Sequence, residues 1–136
     1  MHTSSSKSHG FIRGFSLVEM MACVSIIGII AFMAIPSVTR MRGDSERNLA
    51  IARAESLNLA QASFIQVRGR TQAALEWAAA GTVDEAKYAL IKPYLSFAEN
   101  KLASYMPSGY TVNFPPLITS MTKVTLKDPT QATIFY

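Results

Sequence analysis

The longest stretch of one character in the chain is apolar. Between Glu19 and Arg40 lie twenty residues without a charge, MMACVSIIGIIAFMAIPSVT. As a helix they span roughly 30 Å, the thickness of a bilayer's hydrocarbon core. A soluble helix of this length would show a polar stripe, and this one shows none, so the pattern predicts a segment that enters a membrane. Beyond it the pattern changes. Gly43, Asp44 and Ser45 offer a possible break. Ala50, Ala54, Leu57, Ala60, Phe64 and Val67 then recur at helical steps and predict one apolar stripe, with Arg47, Ser56, Gln61, Gln66 and Arg68 largely elsewhere.

Short elements follow. An Ala-rich helix is expected over 72–80, closed by Gly81. Thr82–Glu85 has the spacing of a capping box and predicts a helix toward Leu90. Asp84 and Glu85 suit the positive end of that helix better than they suit a metal site. Pro93 breaks the run by disfavouring α at Lys92. Ser96–Glu99 has the same box spacing and predicts a helix to about Tyr105. From the Pro107-Ser108-Gly109 turn onward the period becomes two. Tyr110, Val112 and Phe114 form one alternation, ended by Pro115-Pro116. Val124 and Leu126 form a second, and Ala132 to Tyr136 a third after the turn at 128–131. A three-stranded antiparallel sheet of this size needs a helix against it, and the stripe supplies one. The expected fold class is α+β, with a long N-terminal helix and a small head.

Composition narrows the function. With 49% hydrophobic and 16% charged residues and a net charge of +4, the 136 residues allow one ordinary domain and exclude a disordered chain. Mean hydropathy is +0.19. Cys23 stands alone, so no disulfide within the chain is possible. The two histidines, His2 and His9, both lie in the first ten residues. A Ser-His or Cys-His pair would have to borrow its base from that Ser-rich stretch, and a Cys/His zinc site has no ligands. The seven glycines are scattered and form no phosphate loop. No enzyme and no cofactor are expected.

The N-terminal segment is more than an anchor. Lys7 and Arg13 before an apolar stretch resemble a cleaved secretory signal, but the run exceeds a usual apolar signal core and no small-x-small site closes it. Neither that reading nor a plain single-pass anchor accounts for Glu19, since an ionisable residue at such a segment is costly and marks a functional contact. Gly28 and Pro36 weaken the helix, one by about 1 kcal/mol relative to Ala and the other by removing a backbone bond. Transmembrane helices also carry Gly and Pro with no special role.

Gly14-Phe15-Ser16-Leu17-Val18-Glu19-Met20, followed by an apolar run with Gly28 and Pro36, resembles the N-terminal signal of type IV pilins and type II secretion pseudopilins. The close likeness covers about residues 13–38. It implies a leader, 1–14, removed by a prepilin peptidase between Gly14 and Phe15, and N-methylation of Phe15. It further implies a membrane and filament-core helix at 15–39, an amphipathic continuation at 40–70 and a small periplasmic head at 71–136. Glu19 would set assembly register, and Gly28 and Pro36 would give helix flexibility. The implied partners are other pilin or pseudopilin subunits, an inner-membrane assembly platform with its ATPase, and membrane lipid before assembly. The implied location is single-pass in a bacterial inner membrane, then in a periplasmic or surface filament. The short head favours a pseudopilin-like subunit. The chain lacks the family's C-terminal Cys pair and its acidic calcium cluster, with Asp128 alone there, so no metal is expected.

Charge placement raises two alternatives. Arg40, Arg42, Arg47 and Arg53 follow the apolar run, against Lys7 and Arg13 before it, which weakly opposes a cytoplasmic N-terminus. The processing signal nevertheless requires that orientation. Arg40, Arg42 and Arg47, with Arg53, Arg68 and Arg70, are the basic concentration a DNA-uptake pilin would use. Lipid headgroup contact and a solvated helix face explain them more simply, and nucleic acid is not an expected partner. A plain membrane-anchored periplasmic binding domain is the other alternative, and it requires an unprocessed N-terminus.

Overall fold

A computed structural model describes residues 14–136; the expected leader, apart from Gly14, lies outside the described residues. Helix α1 runs from Leu17 to Arg68. The expected break at Gly43–Ser45 does not occur. A helical glycine costs only about 1 kcal/mol, and Arg42 Nε meets Glu46 Oε1 at 3.2 Å, an i,i+4 pair that spans Gly43. Contacts divide the chain after Arg40 into two units. In the first, every described side chain is exposed.

The second unit has its own core. Ala50, Ala54, Leu57, Ala60 and Phe64 are all buried, as the stripe predicts. Val67, expected on the same stripe, is 69% exposed, because α1 ends one residue later and the last turn lies past the core. Gln61, placed elsewhere by the pattern, is instead buried at 5% exposure, and its amide Nε2 has no hydrogen-bond partner among the described residues. A buried donor left so costs about 1–3 kcal/mol. Phe64 packs on Trp77 at 6.3 Å between ring centroids, and Trp77 meets Phe114 edge-on at 5.7 Å. Trp77 Nε1 and the buried Lys87 Nζ both donate to the Pro115 carbonyl, at 2.9 and 3.1 Å.

Helix α2, Arg70–Ala79, follows Gly69, and Gly81 after it has φ +67°. Helix α3 spans Asp84–Ile91. Its capping box does not form: Val83 is the N-cap residue and no side chain caps it. The acidic pair has stronger uses elsewhere. Asp84 accepts the Phe114 N–H at 2.8 Å and Asn113 Nδ2 at 2.9 Å, while Glu85 accepts the Leu102 N–H at 3.2 Å. A 3₁₀ turn, Lys92–Tyr94, replaces the α-helix at Pro93, although Lys92 itself keeps helical angles.

The helix expected from Ser96 is also shorter than its box implies. Helix α4 is only Leu102–Tyr105, started by the Glu85 carboxylate on the Leu102 N–H rather than by Ser96. Residues 96–97 form a turn and 98–101 are irregular. There Phe97 has φ +58° and is 97% exposed, a backbone region costing a non-glycine residue about 1–2 kcal/mol.

The sheet is antiparallel in the order β1 (Thr111–Asn113), β2 (Thr125–Lys127), β3 (Thr133–Ile134). Val112 pairs with Leu126 and Leu126 with Ile134, which sets the three buried side chains in one row. The expected turn at 128–131 is present. Asp128 Oδ1 accepts the Thr130 and Ala132 N–H groups and the Thr130 hydroxyl. The Thr130 hydroxyl, first among causes, holds the Asp128 carboxyl below its usual range. Gly109, with φ +84°, lies so close to this turn that a Cβ there would be 3.0 Å from Pro129 Cγ.

Candidate functional site

Gly14 and Phe15 precede α1 in non-helical backbone, and Phe15 is 79% exposed. The helix starts on a reciprocal pair. The Ser16 N–H donates to Glu19 Oε2 at 2.8 Å, and the Glu19 N–H donates to Ser16 Oγ at 3.2 Å. This is a complete capping box, with Ser16 as N-cap. It satisfies two backbone donors and places a carboxylate at the positive end of the helix. Sequence reasoning singled out Glu19 but missed Ser16, although the S-x-x-E spacing was there to find it. Only Oε2 is used; among the described residues, Oε1 has no hydrogen-bond donor.

From Leu17 to Thr39 the helix presents apolar side chains on all sides, including Val24, Ile27, Ile30 and Phe32, all exposed. It is long and apolar enough to cross a membrane. Gly28 has open space around it, and α1 is unbroken at both Gly28 and Pro36. Two hydroxyls bond back onto helix carbonyls: Ser25 to Met21 at 2.8 Å and Thr39 to Pro36 at 3.0 Å. Such bonds let a polar side chain sit in an apolar helix. An apolar surface this large and contiguous marks a membrane or protein contact.

The basic residues do not form one free stripe. Arg42 pairs with Glu46, and Arg68 with Glu76 at 3.7 Å. Arg53 donates to the Tyr105 carbonyl and lies 5.3 Å over the Tyr105 ring. Arg47 lies in a surface hollow with Asp128. Arg40 and Arg70 are exposed.

A polar network near the C-terminus ties α1 to the segments flanking the sheet, and no spacing in the chain signals it. Asn58 Oδ1 accepts the Val124 N–H at 2.9 Å, and the Tyr136 hydroxyl donates to the Val124 carbonyl at 2.7 Å. Lys123 Nζ donates to Glu55 at 2.8 Å and to the Tyr136 carbonyl at 2.9 Å. The Lys123 bond, then the Asn58 bond, lowers the Glu55 carboxyl from its ordinary range, and burial raises the Tyr136 phenol. Among the described residues no three His, Cys, Asp or Glu side chains gather as metal ligands.

Residues 11–35 match the family model of the prokaryotic N-terminal methylation motif. Over 58 residues, 43% of this chain, the sequence is 40% identical to the type IV major pilin protein PilA of Myxococcus xanthus, covering 26% of that protein. Over 104 residues, 74% of this chain, it is 33% identical to a fimbrial protein of Dichelobacter nodosus, covering 64% of that protein. The matches thus span less than two thirds of either relative. No solved structure matches the chain. The chain thus carries the prokaryotic N-terminal methylation motif and is similar to a type IV major pilin and a fimbrial protein, on an α+β architecture of one long helix with a small antiparallel sheet.

Proposed function

We propose that the chain is a structural subunit of a thin helical filament of the type IV pilus kind, anchored in the bacterial inner membrane before assembly. What carries the reading is the methylation motif at 11–35 together with the stretch 15–39, which covers none of its own apolar surface. In the proposal, residues 1–14 are a leader cut after Gly14 by a prepilin peptidase, which methylates Phe15. Residues 15–39 lie in lipid and then among the same helices of neighbouring subunits. Residues 40–70 continue α1 under a periplasmic head formed by 71–136. An assembly platform and its ATPase would drive extraction. Similarity to a type IV major pilin and to a fimbrial protein favours a pilus over a secretion pseudopilus. DNA uptake through Arg40, Arg42 and Arg47 gains no supporting observation: Arg42 pairs with Glu46 and Arg47 lies beside Asp128, while Arg40 stays exposed.

Glu19 is proposed as the register residue. Its Oε2 is committed to Ser16, and its second oxygen is open to the Phe15 amine of an incoming subunit. Such an attraction strengthens as water is excluded and acts only when the subunits are in register. Glu19→Ala removes both the cap and the charge, whereas Glu19→Gln retains a side chain that can cap Ser16 and removes the charge alone. Both variants should be processed at wild-type level and yield few or no filaments. Normal filament numbers from Glu19→Gln would contradict the charge role. Gly14→Glu should leave the leader in place, and a chain still starting at Phe15 would contradict the cleavage site.

A further inference from the structure

The C-terminal unit carries both halves of a contact that it does not make with itself. One half is a groove between α1 and the segment 118–123, with a volume of about 240 Å³. A dry cavity of about 150 Å³ already accepts a benzene ring. Leu59, Ile65, Ile118 and Met121 line it, and so does Gln61, whose buried Nε2 donor is unpartnered. A second hollow sharing Ile65 and Met121 extends it to the exposed Arg70, which has no ion-pair partner among the described residues. The other half is Phe97, 97% exposed in a left-handed conformation that no packing among the described residues repays. Two residues on, Glu99 is exposed and makes no ion pair among the described residues. The carbonyls of residues 96–98 accept no hydrogen bond among the described residues either.

We propose that Phe97 of one copy of this chain seats in the α1 groove of a second copy. Glu99 of the first copy then meets Arg70 of the second. The groove offers an apolar slot continued to a cation, and the turn offers an apolar ring two residues from an anion. With one knob filling one groove at each contact, the contact is heterologous and repeats from copy to copy. This inference rests on the filament-subunit reading and adds head-to-head contacts to it.

The test uses the full-length chain in cells that assemble it, with filament yield and intact subunit mass as readouts. Phe97 is exposed, so Phe97→Ala should fold and be processed normally while filament yield falls at least tenfold. Glu99→Arg and Arg70→Glu should each lower the yield several-fold, and the double reversal should restore most of it. Wild-type yield from Phe97→Ala would overturn the proposal and leave the filament reading standing. So would a double reversal no better than either single change, because the occupant would then not be a second copy. A wild-type chain that makes no filament would overturn both.

Discussion

The two units treat apolar side chains in opposite ways. In the C-terminal unit Leu57, Trp77, Tyr88 and Leu126 are almost completely removed from water, and Trp77 and Lys87 converge on one carbonyl. In residues 14–40 apolar content is higher and nothing is buried. Hydrophobic residues make a core only where chain topology brings distant ones together, as the row Val112, Leu126, Ile134 does. A single helix cannot fold back on itself, so it can only offer its surface to something else. The C-terminal unit is therefore stable through its own long-range contacts. The N-terminal unit is a helix with one good cap whose stability depends on the medium, since isolated helices are marginal in water.

The contrast breaks most easily at Trp77. Trp77→Ala should cost about 3–5 kcal/mol, seen as a lower denaturation midpoint by far-UV circular dichroism in detergent. Membrane association and processing should survive in the chains that remain. Loss of membrane association along with the core would show that the two units are not energetically separate.

Asp84 sharpens the contrast at an intermediate scale. Asp84→Ala leaves the Phe114 N–H without its acceptor and should destabilise the C-terminal unit by about 1–3 kcal/mol. Thr82→Ala should stay within about 0.5 kcal/mol, since Thr82 caps nothing. Equal costs for the two would restore the capping box that the sequence suggests.

The smallest effect is the pH response of the C-terminal unit. Glu55 and Asp128 have lowered pKa values, through Lys123 and Thr130 respectively. Their stabilisation is present above the ordinary carboxylate range and is lost as pH falls through the lowered values. Tyr88 and Tyr136 are raised, chiefly by burial. Their contribution is complete below about pH 10 and is lost as pH rises through the raised values. Thermal unfolding against pH should show a plateau with a shallow acid limb and an alkaline limb. Tyr136→Phe should weaken the alkaline limb.

Much of this was legible because periodicity is local. The apolar run, the stripe from Ala50 to Phe64, the three strands and the turn at Asp128 follow from spacing alone. What spacing could not decide was which partner a polar group chooses. Three segments share the S/T-x-x-E pattern, yet only Ser16–Glu19 forms the box. At 82–85 the tertiary structure supplies competitors, since Asp84 takes the Phe114 N–H and Glu85 the Leu102 N–H. At 96–99 no helix starts, because α4 begins at Leu102 on the Glu85 carboxylate. At the start of α1, among the described residues, nothing competes. The burial of Gln61 and Lys87 and the exposure of Phe97 were equally invisible, because each depends on what the fold places opposite it.

The central claim is that residues 15–39 are a processed segment whose apolar surface is covered only by assembly. Intact-mass and N-terminal analysis of the chain recovered from sheared, purified filaments tests it most directly. The account predicts a single species that begins at Phe15 and carries one methyl group on its amine. Filaments lacking this chain, or containing it with the leader still attached, would contradict it.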